Sequence, residues 1–169
     1  MAKTFLLIGG NLGNRLQNLA DAKQLISERI GTIAKESSIY ESEPWGFESD
    51  KNFMNQVVIV DTKLNPAAIM LEVSYIENAL GRERKGTGFC SRTMDVDILF
   101  YDQQILLTPS LIIPHKFLHQ RMFVLKPLLE ISPDFVHPLF SVTIQELTTS
   151  CSDQGKVWKY QQSEVEVNQ

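Results

Sequence analysis

The chain has 169 residues, 43% of them hydrophobic and 21% charged, with a formal net charge of −4; that suits one domain with a real core. The acidic balance argues against a protein that holds nucleic-acid phosphates, which shows a basic balance or face, and no apolar run approaches the roughly 20 residues of a membrane span. The start, MAKTFLLIGGN, lacks the length and cleavage pattern of a secretory signal, and Cys90 and Cys151 have no metal-ligand spacing, so the expected setting is cytoplasmic with two free thiols.

Thr4–Ile8 is an apolar run that ends at Gly9-Gly10 and reads as a buried strand leading into a tight turn, with Asn11 close to any site there. Asn14–Ile30 carries Leu16, Leu19, Ala22, Ile26 and Ile30 at spacings of three and four, the pattern of an amphipathic helix that Gly31 ends. Thr32–Tyr40 reads as a strand with weak alternation, Glu43–Asn52 as a loop, and Phe53–Thr62, rich in Val and Ile, as a strand. Asn65-Pro66 has the form of an N-cap followed by Pro at the first helical position, with Ile69, Val73, Ile76 and Leu80 as the buried stripe and Gly81 as the stop.

Arg82–Ser91 is polar, basic and contains glycine, hence a loop; Thr93–Tyr101 is the next strand. Asp102–Gln104 turns the chain into Ile105–Leu107, Pro109 and Pro114 bound an extended piece, and Phe123–Glu130 reads as a short helix. The last fifteen or so residues are polar and read as a loosely held tail from about Asp153. The order β-α-β-β-α-β is that of a ferredoxin-like α+β domain with a mainly antiparallel sheet, here one domain over residues 1–169 with a C-terminal extension.

Asp95 and Asp97 stand in the apolar run TMDVDILFY. On a strand they share one face while Met94, Val96 and Ile98 point into the core. Their Cα atoms then lie about 6–7 Å apart. Two carboxylates so placed repel unless cations neutralise them, and hard oxygen ligands suit Mg²⁺, which takes one or two carboxylates and completes its shell with water and substrate phosphates. A pair of ions about 4 Å apart would bridge the carboxylates and a polyphosphate. A bare pair of this kind equally suits a half-exposed strand facing solvent.

The flanks narrow the choice. Arg82, Arg84, Lys85 and Arg92 precede the pair, and His115, Lys116, His119 and Arg121 follow it. Such cations bind phosphate oxygens and stabilise charge developing on them. Phe53 and Asn55 share a strand face, an aromatic plane beside an amide, which suits a flat heterocycle; Phe123 offers a second plane. Taken singly, each of these aromatics fits a core better than a binding site. IGGNLGNR is no Walker motif, since no Lys-Ser/Thr follows at the required spacing.

The set IGGNLGNR (8–15), SIYESEPWG (38–46), FMNQVV (53–58), LGRER (80–84), SRTMDVDILFYD (91–102), IPH (113–115) and RMFVLKPLLEISP (121–133) resembles the 6-hydroxymethyl-7,8-dihydropterin pyrophosphokinases of folate biosynthesis. The pieces fall in order and span most of residues 4–138. The resemblance implies a ferredoxin-like fold and transfer of a pyrophosphoryl group from ATP to the pterin hydroxymethyl oxygen, releasing AMP. It implies Asp95 and Asp97 as ligands of two Mg²⁺ ions, and Arg82 and Arg92 as catalytic-loop arginines that engage the polyphosphate. It further implies Glu77, Arg84, Ile98, His115 and Arg121 toward ATP, and Ser42, Pro44, Trp45, Gly46, Phe53, Asn55 and Phe123 toward the pterin.

Family members carry an Arg and a Trp shortly before SRT, where this chain has Gly88-Phe89-Cys90-Ser91, and the stretch Pro109–Ile113 lacks the Arg and Thr that some members use toward ATP. Gly86 and Gly88 suit a loop over residues 82–92 that folds over bound ligands. The expected partners are the two small substrates, with neither nucleic acid nor membrane, and the expected state is a monomer. The competing readings are a ferredoxin-like RNA-binding module, against which stand the charge and the aspartate pair, and an inactive pterin- or nucleotide-binding scaffold.

Overall fold

The structure, a computed structural model, describes residues 1–44, 51–81 and 93–161. In chain order these form β1 (Ala2–Gly10), α1 (Arg15–Arg29), β2 (Gly31–Glu36), β3 (Tyr40–Ser42), β4 (Phe53–Thr62), α2 (Pro66–Ala79), β5 (Asp95–Tyr101), a hairpin of β6 (Leu106–Leu107) and β7 (Ile112–Ile113), a 3-10 turn at Leu118–Gln120, α3 (Met122–Ile131), α4 (Ile144–Ser150) and β8 (Val157–Lys159).

The main sheet runs β5-β1-β4-β3-β8, with β2 pairing β4 farther along its length, and every pair in it is antiparallel. This is the ferredoxin-like arrangement, confirming the α+β expectation. The predicted strand at 32–40 is in fact two. β2 lies against Thr62–Val58 of β4 and β3 against Asn55–Phe53, so both occupy one lane of the sheet. Between them Ser37 leaves the ladder to serve β4: its Oγ accepts from Val57 N–H at 3.0 Å and its carbonyl from Gln56 Nε2 at 2.7 Å.

Alternation along the central strands covers both faces of the sheet. Leu6, Ile8, Val58, Val60, Val96 and Ile98 pack with Leu19, Ala22 and Ile26 of α1 and with Ile69, Val73 and Ile76 of α2. Phe5, Leu7, Val57 and Ile59 pack on the other face with Val124, Leu125 and Leu128 of α3 and with Ile144 and Leu147 of α4. Each fully buried aliphatic side chain among them contributes about 1.5–3 kcal/mol.

Both helices start at an Asn cap, that of α2 as the sequence indicates and that of α1 at Asn14, which the sequence reading placed inside the helix. Asn14 Oδ1 accepts from Gln17 N–H at 3.0 Å, and Asn65 Oδ1 from Ala68 N–H at 2.9 Å. Gly81 closes α2 at φ +86°, a conformation side chains resist.

Three expectations are corrected. Gly9 and Gly10 belong to β1 rather than to a turn, because they pair with Asn55 and Met54 of β4. α4 was not anticipated, although Thr143 and Glu146 form a reciprocal capping box at its start. The tail is not loose as far as residue 160: β8 pairs with β3, and Tyr160 N–H donates to the Ile39 carbonyl at 2.8 Å.

Candidate active site

One row of cross-strand partners runs Asp95 (β5), Gly9 (β1), Asn55 (β4), Tyr40 (β3), Lys159 (β8). Opposed residues on antiparallel strands share a face, and this face is the one that carries Leu7 and Val57 against α3. Asp97 sits opposite Leu7, and Ser42 opposite Phe53. The fold thus gathers Asp95, Asp97, Ser42, Phe53 and Asn55 on one face at one end of the sheet. Burial alternates over the first four residues of β5 as predicted: the two aspartates are half-buried, while Val96 and Ile98 are buried.

Gly9 makes the row work, a role its sequence context did not reveal. A Cβ at this position would stand 2.2 Å from Asn55 Oδ1 and 2.5 Å from the Met54 carbonyl oxygen. The absent side chain is the space in which the Asn55 amide lies. Asn55 is 5% exposed, and its Nδ2 donates to Ser42 Oγ at 3.3 Å.

α3 packs on this face of the sheet. Arg121, its N-cap residue, is 8% exposed, with its guanidinium carbon 4.9 Å from the Phe117 ring centre and 5.8 Å from that of Phe123. His115 is tied by its N–H to the Leu99 carbonyl at 3.0 Å, and its Nδ1 accepts from Phe117 N–H at 3.2 Å. Burial, with help from the Arg121 and Lys116 charges and against the opposing pull of Asp95, pushes the His115 pKa down to about 4. The imidazole is therefore neutral at pH 7, and since Nδ1 accepts, Nε2 carries the proton.

Along the outer edge of β5 runs a cleft of about 220 Å³. Met70, Ile98 and Leu111 give it apolar walls, and Asp97, His115 and Lys116 a polar end. Met70 and Leu111 are lining residues the sequence did not single out; each looks like ordinary core. Glu77 is not among the residues that line this cleft. It is 5% exposed on α2, and its Oε2 accepts from Val96 N–H at 3.0 Å, between the two aspartates in sequence. In this structure it fixes the strand that carries them.

Two side chains on the opposite face of the sheet hold the ends of the segment joining β3 to β4. Arg15 Nη1 donates to Glu41 Oε2 at 3.1 Å and to the Asn52 carbonyl at 3.0 Å, and Asn11 Nδ2 to the Lys51 carbonyl at 3.2 Å. Pro44 is half-buried at the first end. Trp45, Gly46, Arg82, Arg84 and Arg92 lie outside the described residues, as does the whole loop 82–92.

The donor set fits Mg²⁺. Among the described residues no three His, Cys, Asp or Glu side chains form a metal cluster. A pair of hard carboxylates with no third protein ligand among the described residues matches an ion that completes its shell with water and substrate oxygens rather than with protein.

Residues 5–133 match the family described as 7,8-dihydro-6-hydroxymethylpterin-pyrophosphokinase (HPPK). The 2-amino-4-hydroxy-6-hydroxymethyldihydropteridine pyrophosphokinase of Aquifex aeolicus is 36% identical over 146 residues, 86% of this chain and 90% of that protein. Its Bacillus subtilis namesake is 36% identical over 158 residues, 92% and 89% of the two chains. The folic acid synthesis protein fol1 of Pneumocystis carinii is 41% identical over 143 residues, but this chain spans only 19% of its length. Among solved structures, wild-type HPPK-DHPS of Plasmodium falciparum shares the fold at a TM-score of 0.73 and 17% identity, over 88% of this chain and 44% of that one. With the family match covering most of the sequence and close relatives aligned nearly end to end, this chain belongs to the 7,8-dihydro-6-hydroxymethylpterin-pyrophosphokinase family of enzymes.

Proposed function

We propose that this enzyme transfers the pyrophosphoryl group of ATP to the hydroxymethyl oxygen of 6-hydroxymethyl-7,8-dihydropterin, releasing AMP, as a step of folate biosynthesis. The observation that carries the reading is the row Asp95–Gly9–Asn55, which sets a carboxylate pair beside an amide fit to read a heterocycle's edge. Asn55 and Ser42 meet the donor–acceptor edge of the pterin, while Phe53 and Phe123 supply its two stacking planes. Pro44, Trp45 and Gly46 continue that wall. The adenine and ribose take the cleft lined by Met70, Ile98 and Leu111, with the phosphates toward Asp97, His115 and Arg121. Glu77 serves the nucleotide side by holding β5.

In the transfer, the hydroxymethyl oxygen bonds to the β-phosphorus and the bond from that phosphorus to the α,β-bridging oxygen breaks. AMP leaves with the bridging oxygen, and the hydroxyl proton is lost. Asp95 and Asp97 would hold two Mg²⁺, which when bound would supply charge neutralisation and make the attacking hydroxyl more acidic. The chain itself does the positioning that such a reaction needs. His115 donates from Nε2–H to a phosphate oxygen, and Arg121, braced between Phe117 and Phe123, offers a guanidinium already desolvated and oriented. Arg82, Arg84 and Arg92 add cations along the polyphosphate.

The test is to incubate the protein with MgATP and the dihydropterin, with and without EDTA, and to separate the nucleotides. AMP is expected only when pterin and metal are both present. Asp95→Ala and Asp97→Ala are each expected to lower turnover by about 10³ or more. ADP in place of AMP would move the attack to the γ-phosphorus, and binding without turnover would make the chain a scaffold.

A further inference from the structure

The C-terminal segment is stitched along one side of α3. Met122, Lys126 and Glu130 stand four residues apart and so share a helix face. Met122 N–H donates to Asp153 Oδ2 at 2.9 Å, Lys126 Nζ to the Val157 carbonyl at 2.9 Å, and Lys159 Nζ meets Glu130 Oε2 at 3.0 Å. Asp153 thereby caps α3 from outside the helix, since Arg121 gives it no side-chain cap. Its other oxygen accepts from Gly155 N–H at 2.8 Å, which turns the segment back toward the sheet.

The same segment is also a strand. Val157 pairs with Ser42, Trp158 with Glu41 and Lys159 with Tyr40, and Glu43 N–H reaches the Lys156 carbonyl at 3.4 Å. Glu130 closes the joint: it accepts from Ser38 N–H and, at 3.2 Å, from the Tyr40 hydroxyl. Residues 153–159 therefore bridge two walls. One is the start of α3, where Phe123 follows Met122. The other is β3, where Ser42 opposes Phe53 and accepts from Asn55.

We propose that residues 153–159 are a positioning strap that sets the gap between Phe123 and the Ser42–Phe53–Asn55 wall, and so governs affinity for the flat dihydropterin. This rests on reading that gap as the pterin site. A ring stacked on both faces is sensitive to the spacing of its two walls. The strap spans that spacing through side-chain bonds on the α3 side and backbone bonds on the β3 side. None of its residues is required to touch the substrate.

The test uses the full chain with Lys126→Met and Lys159→Met combined, which cuts two stitches and leaves Arg121 and Phe123 intact. Asp153→Ala is the second variant, with Asp153→Asn as its conservative control. Dissociation constants are measured separately for the dihydropterin and for the Mg²⁺ complex of a non-hydrolysable ATP analogue, alongside Tm. The double variant is expected to weaken dihydropterin binding about tenfold, the equivalent of about 1.4 kcal/mol, with nucleotide affinity within about twofold of wild type. Asp153→Ala is expected to weaken the dihydropterin likewise, and Asp153→Asn, whose single amide oxygen can keep the Met122 N–H bond but whose NH2 cannot accept from Gly155, to recover part of that loss. Unchanged dihydropterin affinity, or equal losses for both ligands in step with a lower Tm, overturns the strap. Wild-type protein that does not bind the dihydropterin, or binds it equally well after Phe123→Ala, overturns the reading of the site and the strap with it.

Discussion

At the scale of single residues, Gly9 shows how a site can depend on an atom that is missing. Its neighbours forbid a methyl group: the Met54 carbonyl is backbone and has nowhere to go, and Asn55 Oδ1 stands closer still. Gly9→Ala must therefore push β1 from β4 or turn the Asn55 amide away from Ser42. Overpacking of this kind costs about 1–3 kcal/mol. The expected outcome is a lower denaturation midpoint together with a dihydropterin KM raised more than the ATP KM, checked by steady-state kinetics with each substrate varied in turn. Equal KM changes would mean that Asn55 does not read the pterin. From sequence alone the alternation rule put Asp95 with Asp97 on one face of their strand and Phe53 with Asn55 on one face of theirs; that the two faces are the same appears only in the register through β1. The rule was silent on Gly9, because a glycine pair after an apolar run looks like a turn, and its use as cleared space appears only once β4 lies alongside.

Among elements, those with a strong local signal were legible and those made by partners were not. The α1 and α2 stripes, the Asn65 cap and the whole of β4 could be read because period, cap and composition agree. β3 and β8 are three residues each, and neither pattern nor propensity specifies so short a strand; they exist because β4 and β3 offer open edges. α4 was overlooked although Thr143-Ile144-Gln145-Glu146 is a capping box, since seven residues give too few turns for a periodic stripe.

The segment joining β3 to β4 shows the same dependence on partners. Arg15 sits at the first position of α1, yet its side chain bonds Glu41, just before Ser42, and the carbonyl of Asn52, just before Phe53. Because Ser42 and Phe53 are cross-strand partners, the guanidinium fixes the point where the wall proposed for the pterin opens. Arg15→Ala is expected to raise the dihydropterin KM several-fold with kcat within about twofold, the pattern of lost binding shared by ground and transition states. Arg15→Ala, Glu41→Ala and the double variant form a cycle, and a stability coupling of up to about 1 kcal/mol is expected for this part-buried pair. A normal dihydropterin KM in Arg15→Ala would remove the guanidinium from the site's support.

For the whole molecule, acid is expected to act through histidines that the fold keeps neutral. His137 is 2% exposed, stacked on Phe140 at 4.3 Å and edge-on to Phe100 at 5.5 Å. Its Nδ1 accepts from Leu139 N–H and Phe140 N–H, both at 3.2 Å. Burial, aided by the neighbouring His119, pushes its pKa down to about 4, and His115 is lowered to about 4 as well. In the unfolded chain these imidazoles regain the ordinary value near 6.5. Between 6.5 and 4 the unfolded state therefore binds protons that the native state refuses, so stability rises with pH in that window and falls on acidification. The slope is up to about 1.4 kcal/mol per pH unit for each such group. Glu130 acts in a lower window. Burial alone would raise its pKa, but donation from Ser38, Lys159 and Tyr40 holds it below the usual carboxylate value, so its contribution is present above about pH 4.5 and is lost below that. Comparing urea midpoints at pH 7 and pH 5 isolates the histidines. His137→Asn keeps an acceptor for the two N–H groups and removes the titration. The variant is expected to lose up to about 2 kcal/mol less than wild type between those pH values. Parallel losses in the two proteins would show that His137 is protonated in the native state or that its burial carries no proton linkage.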